Sequence, residues 1–401
     1  MLTIALALLL GINFVFYLED LLLEGAALFR RARSAPMGEK ELARLRRLAF
    51  RRFAVLVPFW REGGNLNDIT YSEHAVFLGL SGPLSPHWEA AKALERTHEH
   101  VIVIVQGDAT REEAWAQLAE RVLASEGKTG FRFDAFLLLE GADGISPAAL
   151  LALNEALENS DIAQLPIRPR RAAWSRFAAG AYADEAADAQ RESLLRSILR
   201  SPFVTRGTGT ALRREALEML LAKSKPSLAH SYALGVNAIR FGLTTRLALY
   251  GSGDSLVAVN QEAPQSVSWA IRRRARFAFE AGIEGAKQFG FGATLAERYF
   301  FWRDRRWVPL SFLGLLVSCF FLGRAFVAGG EPLPALPLWI GFLSIINICL
   351  ALLRLSFRMR NTGRTYGWRH ALLVPLRTPV VNLVQSMAQW RAIGMAWRGK
   401  A

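Results

Sequence analysis

Two carboxylates follow an apolar segment in the first half of the chain, and they are the first candidates for chemistry. Residues 136–147 read FLLLEGADGISP, so Glu140 and Asp143 come directly after a run of strand length. Pro147 then opens an alanine- and leucine-rich run that is typical of a helix. In open α/β sheets, ligands bind where strands end, because loops and helix amino termini meet there. The segment predicts an acidic ligand site or, as the simpler interpretation, a buried strand followed by a polar turn.

Strand and helix patterns alternate on both sides of this segment. The predicted strands are residues 55–59, 76–80, 101–105, 133–139, 162–167, 246–250 and 256–260. The predicted helices are residues 86–96, 111–124, 172–199 and 232–241, with one more after Pro147. Such alternation predicts a mostly parallel sheet flanked by helices. Glu62 follows the first of these strands and Asp108 follows the third, which adds two acidic residues at strand ends.

Residues 206–217, RGTGTALRREAL, form a second segment of interest. Its glycines predict the start of a helix. Taken alone it is a weak phosphate-loop pattern, because the spacing of a Walker or dinucleotide motif is missing. Chain reversal at the glycines is an equally good interpretation.

The composition predicts that part of the chain lies in lipid. Hydrophobic residues make up 52% of the 401 residues and the mean hydropathy is +0.18, which is high for a soluble protein. Apolar runs at residues 2–18, 308–328 and 338–353 have about the length that a membrane span needs. A signal peptide is the alternative for the first run, but no basic residue precedes it and no cleavage pattern follows. Arg30, Arg31 and Arg33 come next and place the following domain in the cytosol by the positive-inside rule.

The formal net charge of +14 is concentrated near the predicted membrane spans. Residues 354–401 contain nine Lys or Arg and no Asp or Glu, as expected of a segment that faces anionic lipid. Neither a zinc spacing nor an aromatic RNA-binding pattern accompanies this charge, so we do not expect nucleic acid as a partner. Cys319 and Cys349 both fall in apolar runs, which suggests neither a disulfide framework nor a metal site.

Several segments are predicted to lie at the membrane surface. Residues 265–289 have a helical period, with a basic stretch at 272–276 and interleaved aromatic residues. The apolar stretches 371–376 and 380–387 are interrupted by Arg377 and Pro379, so we expect interfacial helices there rather than another span.

Four motifs together resemble a known family. Residues 57–62 (VPFWRE) look like an opening VPxWxE motif, residues 136–147 like a DxD strand, and residues 207–217 like a GxGxxxxREAL segment. Residues 273–277 (RRARF) resemble a (Q/R)xxRW motif. This order of motifs is similar to that of membrane-embedded family 2 glycosyltransferases of the GT-A fold. Residues 180–185 (GAYADE), 302–306 and 366–369 also look like bacterial inner-membrane glycosyltransferases of the phage-adsorption protein B type.

The resemblance implies an α/β, GT-A-like cytosolic domain with one amino-terminal and two carboxyl-terminal transmembrane helices plus interfacial helices. The expected divisions are an amino-terminal span (1–24), a basic linker helix (25–52) and the GT-A-like domain (53–262). They continue with interfacial helices (263–306), two spans (307–355) and a basic carboxyl-terminal segment (356–401). The implied localisation is the bacterial inner membrane, with several spans.

The resemblance also implies a set of site residues. Glu140 stands at the first acidic position of DxD, Ala142 at the second, and Asp143 beside it, so Mg²⁺ or Mn²⁺ would depend on Glu140 and Asp143. Ser231 stands where relatives carry the catalytic Asp, which leaves His230 as the candidate base, with a helix cap or surface residue as the alternative. The implied substrate-binding residues are Glu62, Asp108, Glu140, Arg273, Arg276 and Phe277. The two arginines could instead only hold their helix at anionic lipid.

Two functions follow from these expectations. The first is transfer of sugar from a nucleotide-sugar donor to a glycan acceptor in exopolysaccharide or cell-surface polysaccharide synthesis. The second is a catalytically inactive subunit that acts as a scaffold or binding partner in a polysaccharide synthesis and export complex. Family resemblance favours the first. The substituted base and metal positions favour the second, as does Glu112, which stands where relatives carry a lysine.

Overall fold

The computed structural model describes most of the chain. The described residues are 2–29, 36–63, 66, 69–107, 111–129, 131–170, 177–198, 205, 207–224, 228, 231–280, 282, 294–305 and 337–398. Asp108, His230 and the predicted span at 308–328 lie outside these residues.

Ten strands and thirteen helices are present in these ranges. The strands are β1 (Phe53–Val57), β2 (His74–Leu80), β3 (Val101–Val105), β4 (Ala135–Leu138), β5 (Gly144–Ile145), β6 (Ile162–Gln164), β7 (Ile167–Pro169), β8 (Thr210–Arg213), β9 (Thr245–Leu247) and β10 (Val259–Gln261). The helices are α1 (Leu2–Phe29), α2 (Glu39–Leu45), α3 (Trp88–Thr97), α4 (Arg111–Thr129), α5 (Ala149–Ala156), α6 (Phe177–Ile198), α7 (Arg214–Ser224), α8 (Ser231–Arg240), α9 (Val267–Phe279), α10 (Leu295–Arg303), α11 (Leu338–Tyr366), α12 (Trp368–Leu372) and α13 (Val374–Trp397).

A seven-stranded sheet in the order β3-β2-β1-β4-β8-β6-β9 forms the centre of the domain. The pairs from β3 to β4 are parallel, whereas β8 runs antiparallel to both of its neighbours. Every side chain of β1 and β4 is buried, because helices cover both faces of the sheet, as a parallel sheet requires. Val55 and Val57 belong to the apolar core on one face, while Ala54 and Leu56 belong to the core on the other. The prediction of an α/β domain with a parallel-rich sheet is confirmed.

The strand β8 was not predicted. The glycine-containing segment at 206–217 was expected to open a helix, but Thr210–Arg213 form a strand in the middle of the sheet, and α7 starts only at Arg214. Gly207 and Gly209 have φ values of 74° and 75°, so they turn the chain before the strand. Ala211 and Leu212 are fully buried between β4 and β6, and this burial outweighs the helical pattern of the segment.

A second, three-stranded sheet in the order β5-β10-β7 lies beside the ends of the central strands. The pair β5 and β10 is antiparallel, and β10 and β7 are parallel. This small sheet brings three distant parts of the chain together. The strand β5 begins directly after Asp143, β7 ends at Pro169 and β10 ends at Gln261.

The helices α6, α9, α11 and α13 pack against one another beside the sheets. The predicted break at Arg377 and Pro379 is wrong, because α13 continues through both residues. Arg377 is 1% exposed, and its Nε and Nη2 atoms lie 2.9 and 3.0 Å from the carboxylate oxygens of Asp184 in α6. Gly180 leaves the space for this guanidinium, since a Cβ there would lie 2.3 Å from Arg377 Nη1. The buried ion pair and the packing on α9 hold the helix together despite the proline.

A cluster of ion pairs joins α1 to α6 and α10, and we call it the anchor cluster. Its members are Glu19 and Asp20 from α1, Glu192 and Arg196 from α6, and Arg303 and Asp304 at the end of α10. Arg303 lies 2.5 Å from Glu19, 2.6 Å from Asp20 and 3.1 Å from Glu192. The cluster therefore fixes the carboxyl-terminal half of α1 to the helices α6 and α10.

Two of the described helices are long and apolar enough to cross a membrane. The stretches are residues 6–26 in α1 and 338–366 in α11. The protein buries none of the apolar part of α1 and about a tenth of that of α11. The helices pack against each other, and Asn347 Nδ2 donates a hydrogen bond to the carbonyl of Leu10. Because their apolar surfaces are so little covered by protein, these helices indicate membrane association.

Candidate active site

The acidic loop, residues 140–143, connects β4 to β5 at the carboxyl end of the parallel strands. The backbone N–H of Asp143 donates to the carbonyl of Glu140 at 2.9 Å, which closes a tight turn. Thr208, in the turn before β8, accepts a hydrogen bond from the Glu140 N–H at 3.2 Å and donates one to Asp143 Oδ2 at 2.7 Å. The glycine-containing segment that was predicted to open a helix thus holds the acidic loop in place.

The chain after β1 presses directly against the acidic loop. The Arg61 N–H donates to the carbonyl of Gly141 at 2.8 Å. A Cβ on Gly141 would lie 2.1 Å from the carbonyl oxygen of Phe59, so only glycine fits there. Phe59 itself has φ at +49°, a left-handed conformation that is unfavourable for an aromatic residue. Glu62 is exposed in the turn that follows, one residue beyond the contact with the loop.

The helix α9 presents Arg273 to the acidic loop. Arg273 Nη2 lies 3.7 Å from Glu140 Oε2, and the two side chains are 28% and 32% exposed. The guanidinium also lies over the ring of Tyr182 from α6, at 5.3 Å from the ring centroid, within the range of a cation–π contact. Arg273 is therefore oriented by a carboxylate and an aromatic ring while part of it remains accessible.

Two consecutive hydrogen bonds connect Tyr182 to the acidic loop. The Tyr182 hydroxyl donates to Gln261 Oε1 at 2.5 Å, and Gln261 Nε2 donates to Asp143 Oδ2 at 3.4 Å. Gln261 lies at the end of β10, so the small sheet contributes the link between Tyr182 of α6 and the acidic loop. A displacement of any one member would disturb the others, because each polar group fixes its neighbour.

A second arginine reaches the acidic loop from the end of β7. Arg170 Nη2 donates to the carbonyl of Ala142 at 2.9 Å, and the Arg170 backbone N–H donates to the carbonyl of Gln261 at 2.7 Å. Its Nη1 atom would lie 3.7 Å from a Cβ on Gly63, so the guanidinium lies between the acidic loop and the turn after β1. Two arginines therefore contact the acidic loop, Arg273 at the carboxylate of Glu140 and Arg170 at the carbonyl of Ala142.

Burial raises the pKa of Asp143 to about 7, and the negative charge of Glu140 adds to the effect. The hydrogen bonds from Thr208 and Gln261 and the charge of Arg273 act in the opposite direction. Asp143 is only 3% exposed, which is why desolvation dominates. Near neutral pH, the site can therefore change its charge by one unit without any change of residue.

The structure brings some of the predicted site residues together. Glu140, Asp143 and Arg273 form one cluster. Arg276 and Phe277 lie one turn further along α9, on exposed positions. The assignment of Glu62, Arg276 and Phe277 to substrate, and of Asp108 and His230 to the site, stays a prediction.

Four residues of the cluster were missed by the sequence analysis: Tyr182, Thr208, Gln261 and Arg170. Two signals were present. Thr208 lies within the glycine-containing segment, which was noted as a weak phosphate-loop pattern, and Tyr182 lies within GAYADE, which was noted only as part of the resemblance. Arg170 follows β7 and Gln261 is the last residue of β10, and only the pairing of these two strands shows that the residues meet.

The oxygen atoms at the loop do not form a set that fits a divalent cation. A hard cation takes about six or more oxygen ligands. Here Ala142 supplies no side-chain oxygen and its carbonyl is bound by Arg170, while Asp143 Oδ2 already accepts two hydrogen bonds. Glu140 faces the cation of Arg273. Within the described ranges, no group of three or more His, Cys, Asp or Glu side chains could hold a metal ion. Metal binding by Glu140 and Asp143 stays a prediction.

Two curated proteins match most of the chain. Bacteriophage adsorption protein B of Escherichia coli (strain K12) is 24% identical over 387 residues, covering 85% of this chain and 52% of that protein. Bacteriophage N4 adsorption protein B of Escherichia coli O157:H7 matches with the same identity and coverage. The chain thus spans about half the length of the curated relatives it matches. No family model matches the chain.

A mannosyltransferase from Pyrobaculum calidifontis, solved in complex with GDP-Man and Mn²⁺, has a similar fold. Its TM-score to this chain is 0.56 at 13% sequence identity, over 94% of this chain and 99% of that chain. The resemblance indicated by the motifs is confirmed: the chain is similar to bacteriophage adsorption protein B and has a GT-A-like glycosyltransferase fold.

Proposed function

We propose that this protein is a membrane-bound glycosyltransferase that takes sugar from a nucleotide-sugar donor and transfers it to a glycan acceptor. The process it serves is exopolysaccharide or cell-surface polysaccharide synthesis at the bacterial inner membrane, with the main domain in the cytosol. The likeness to a mannosyltransferase fold and to bacteriophage adsorption protein B supports the reaction class. The helices α1 and α11 support the attachment to a bilayer.

One observation carries the proposal: Arg273 lies beside Glu140 at the carboxyl end of the central strands. Transfer of the sugar leaves a nucleoside diphosphate, whose negative charge must be stabilised as the glycosidic bond breaks. Arg273 of α9 would do so, and its contacts with Tyr182 and Glu140, which orient the guanidinium, support this role. A pre-oriented cation lowers the barrier without reorganisation during the reaction.

Deprotonation of the acceptor hydroxyl needs a base. Ser231 opens α8 where relatives carry Asp, so the proposed base is the imidazole of His230, the residue before it. The test is turnover by purified full-length protein in detergent or nanodiscs, supplied with UDP- and GDP-sugars and followed by mass spectrometry of the released nucleotide. We expect release by the unchanged protein and a loss of at least about 100-fold in His230→Ala, the lower end of what general base catalysis contributes.

The second candidate is a catalytically silent subunit of a polysaccharide synthesis and export complex. It is favoured by the substitutions Ala142 and Ser231, which remove a metal ligand and the usual base. Such a protein would bind a nucleoside diphosphate but would not release it from a nucleotide-sugar donor. Binding together with no release of nucleotide from any donor would therefore replace the first candidate by the second.

A further inference from the structure

We propose that Arg273 and Arg170 together hold the donor diphosphate by their positive charges, so that this site binds nucleotide without a divalent metal. The inference rests on the proposed function and concerns how the same site recognises its ligand. Three features of the acidic loop carry it: the oxygen atoms, the two cations and the way those cations are fixed.

The oxygen atoms that a metal would need are already engaged. At the second acidic position, Ala142 offers only its carbonyl, and Arg170 binds that oxygen at 2.9 Å. Asp143 is 3% exposed and points into the protein, towards the hydroxyl of Thr208 and the amide of Gln261. A metal ion would have to displace a guanidinium and break buried hydrogen bonds, and it would gain few ligands in return.

The two guanidinium groups supply the charge that a divalent cation would supply. Each carries one positive charge at any pH that the protein tolerates, so the pair matches the charge of Mn²⁺. A guanidinium has five N–H donors in a planar fork that fits phosphate oxygens. Arg170 reaches the loop from the small sheet and Arg273 from α9, so a diphosphate between them would meet both cations.

The two cations are held by the protein rather than by the ligand. Arg273 lies over Tyr182, and the Tyr182 hydroxyl is bound to Gln261. The backbone of Arg170 is bound to the same glutamine. Gln261 therefore connects both arginines, which makes Tyr182 and Gln261 positioning residues. Such preorganisation keeps the ordering cost of the two long side chains out of the binding step.

Calorimetric titration of the full-length protein in detergent with UDP and with GDP tests this inference. Each titration is done once with EDTA and once with millimolar Mn²⁺. We expect dissociation constants in the two conditions that agree within about threefold. Arg273→Gln and Arg170→Gln should each weaken binding by about 10- to 100-fold, the range for loss of a hydrogen bond to a charged group.

The matched control is Arg272→Gln, which removes the same charge from an exposed neighbouring position of α9 and should change binding less than twofold. Size-exclusion chromatography and circular dichroism identify any variant that does not fold. If either arginine variant fails this check, the other one still tests the inference.

The outcomes are distinguishable. Binding by the unchanged protein in Mn²⁺ but not in EDTA would overturn the inference and leave the proposed function standing. Equal binding by the unchanged protein and both arginine variants would also overturn it. Absence of binding in both conditions at millimolar nucleotide would overturn the proposed function, and the inference with it.

Discussion

The anchor cluster and the acidic loop both combine arginines with carboxylates, yet they differ in how completely the charges are matched. In the anchor cluster, Arg303 is 10% exposed and has a separate carboxylate within 3.1 Å of each of its three nitrogens. At the acidic loop, Arg273 is 28% exposed, and its Nη2 atom lies 3.7 Å from the carboxylate of Glu140. Charges that are matched inside the protein hold it together, whereas a partly matched cation retains capacity for an anionic ligand.

The positions of the two clusters agree with this difference. The anchor cluster joins a candidate membrane span to helices of the main domain, so its ion pairs link elements far apart in sequence. The acidic loop lies at the carboxyl end of the parallel strands, where α/β proteins bind ligands. Removal of an arginine should therefore cost stability in one place and ligand affinity in the other.

The largest effect is expected from Arg303→Ala. It removes the guanidinium that Glu19, Asp20 and Glu192 share, while Arg354 still contacts Asp20 at 2.9 Å, so we expect a loss of roughly 3 kcal/mol, the lower end for breaking a buried ion pair. The unfolding temperature in detergent, followed by tryptophan fluorescence, should fall by several degrees. Arg391→Ala, at an exposed position of α13, is the control and should leave it nearly unchanged. Equal unfolding temperatures for Arg303→Ala and the unchanged protein would remove the basis of the comparison.

A smaller effect is expected from Gly141→Ala, which tests the backbone contact at the acidic loop. The added methyl group would lie 2.1 Å from the carbonyl oxygen of Phe59, so the loop has to move. Overpacking of this kind costs about 1–3 kcal/mol. Affinity for UDP or GDP should fall as well, because Glu140 moves with the loop. Gly82→Ala is the control, since no atom lies within 4 Å of a Cβ there. Unaltered affinity in Gly141→Ala would mean that the loop does not contact the nucleotide.

A pH dependence is expected from Asp143. Its pKa is raised from the usual 3.8 to about 7 by burial and by Glu140, so the folded protein holds the proton more tightly than the unfolded chain. The corresponding stability is present below pH 4 and is lost as the pH rises towards about 7. Asp143→Asn removes this titration but keeps an oxygen for Thr208 and Gln261. The unfolding temperature of the variant minus that of the unchanged protein should therefore grow between pH 5 and pH 7.5. A constant difference would show that Asp143 is ionised throughout this range.

The smallest effect is expected from Tyr182→Phe. The change keeps the ring under Arg273 and removes only the hydrogen bond to Gln261. Affinity for nucleotide should fall about three- to tenfold, the value of one ordinary hydrogen bond, with little change in unfolding temperature. Tyr182→Leu removes the ring as well and should weaken binding further. Equal affinities for the phenylalanine and leucine variants would show that the ring does not position Arg273.

The sequence predicted the fold better than the site, and the reason is physical. Short apolar runs that are bounded by polar residues indicate buried strands. The strands β1 to β4, and the acidic residues after β4, could therefore be recognised from the local sequence. The hydrogen bonds around Asp143 join residues from three places: α6, the turn before β8, and the end of β10. These residues are up to 118 positions from Asp143 in sequence, and no local pattern records their contact. Likewise, the segment of β8 has a helical pattern in its own sequence, whereas its burial as a strand depends on pairing with β4 and β6, which the local sequence does not show.

The pair of titrations with UDP and GDP, in EDTA and in Mn²⁺, tests the central claim most directly. If the acidic loop is a nucleotide site whose cations are Arg273 and Arg170, the unchanged protein binds nucleotide equally well in both conditions, and Arg273→Gln loses at least about tenfold in affinity. Binding that requires Mn²⁺, or that survives Arg273→Gln undiminished, would contradict this account of the site.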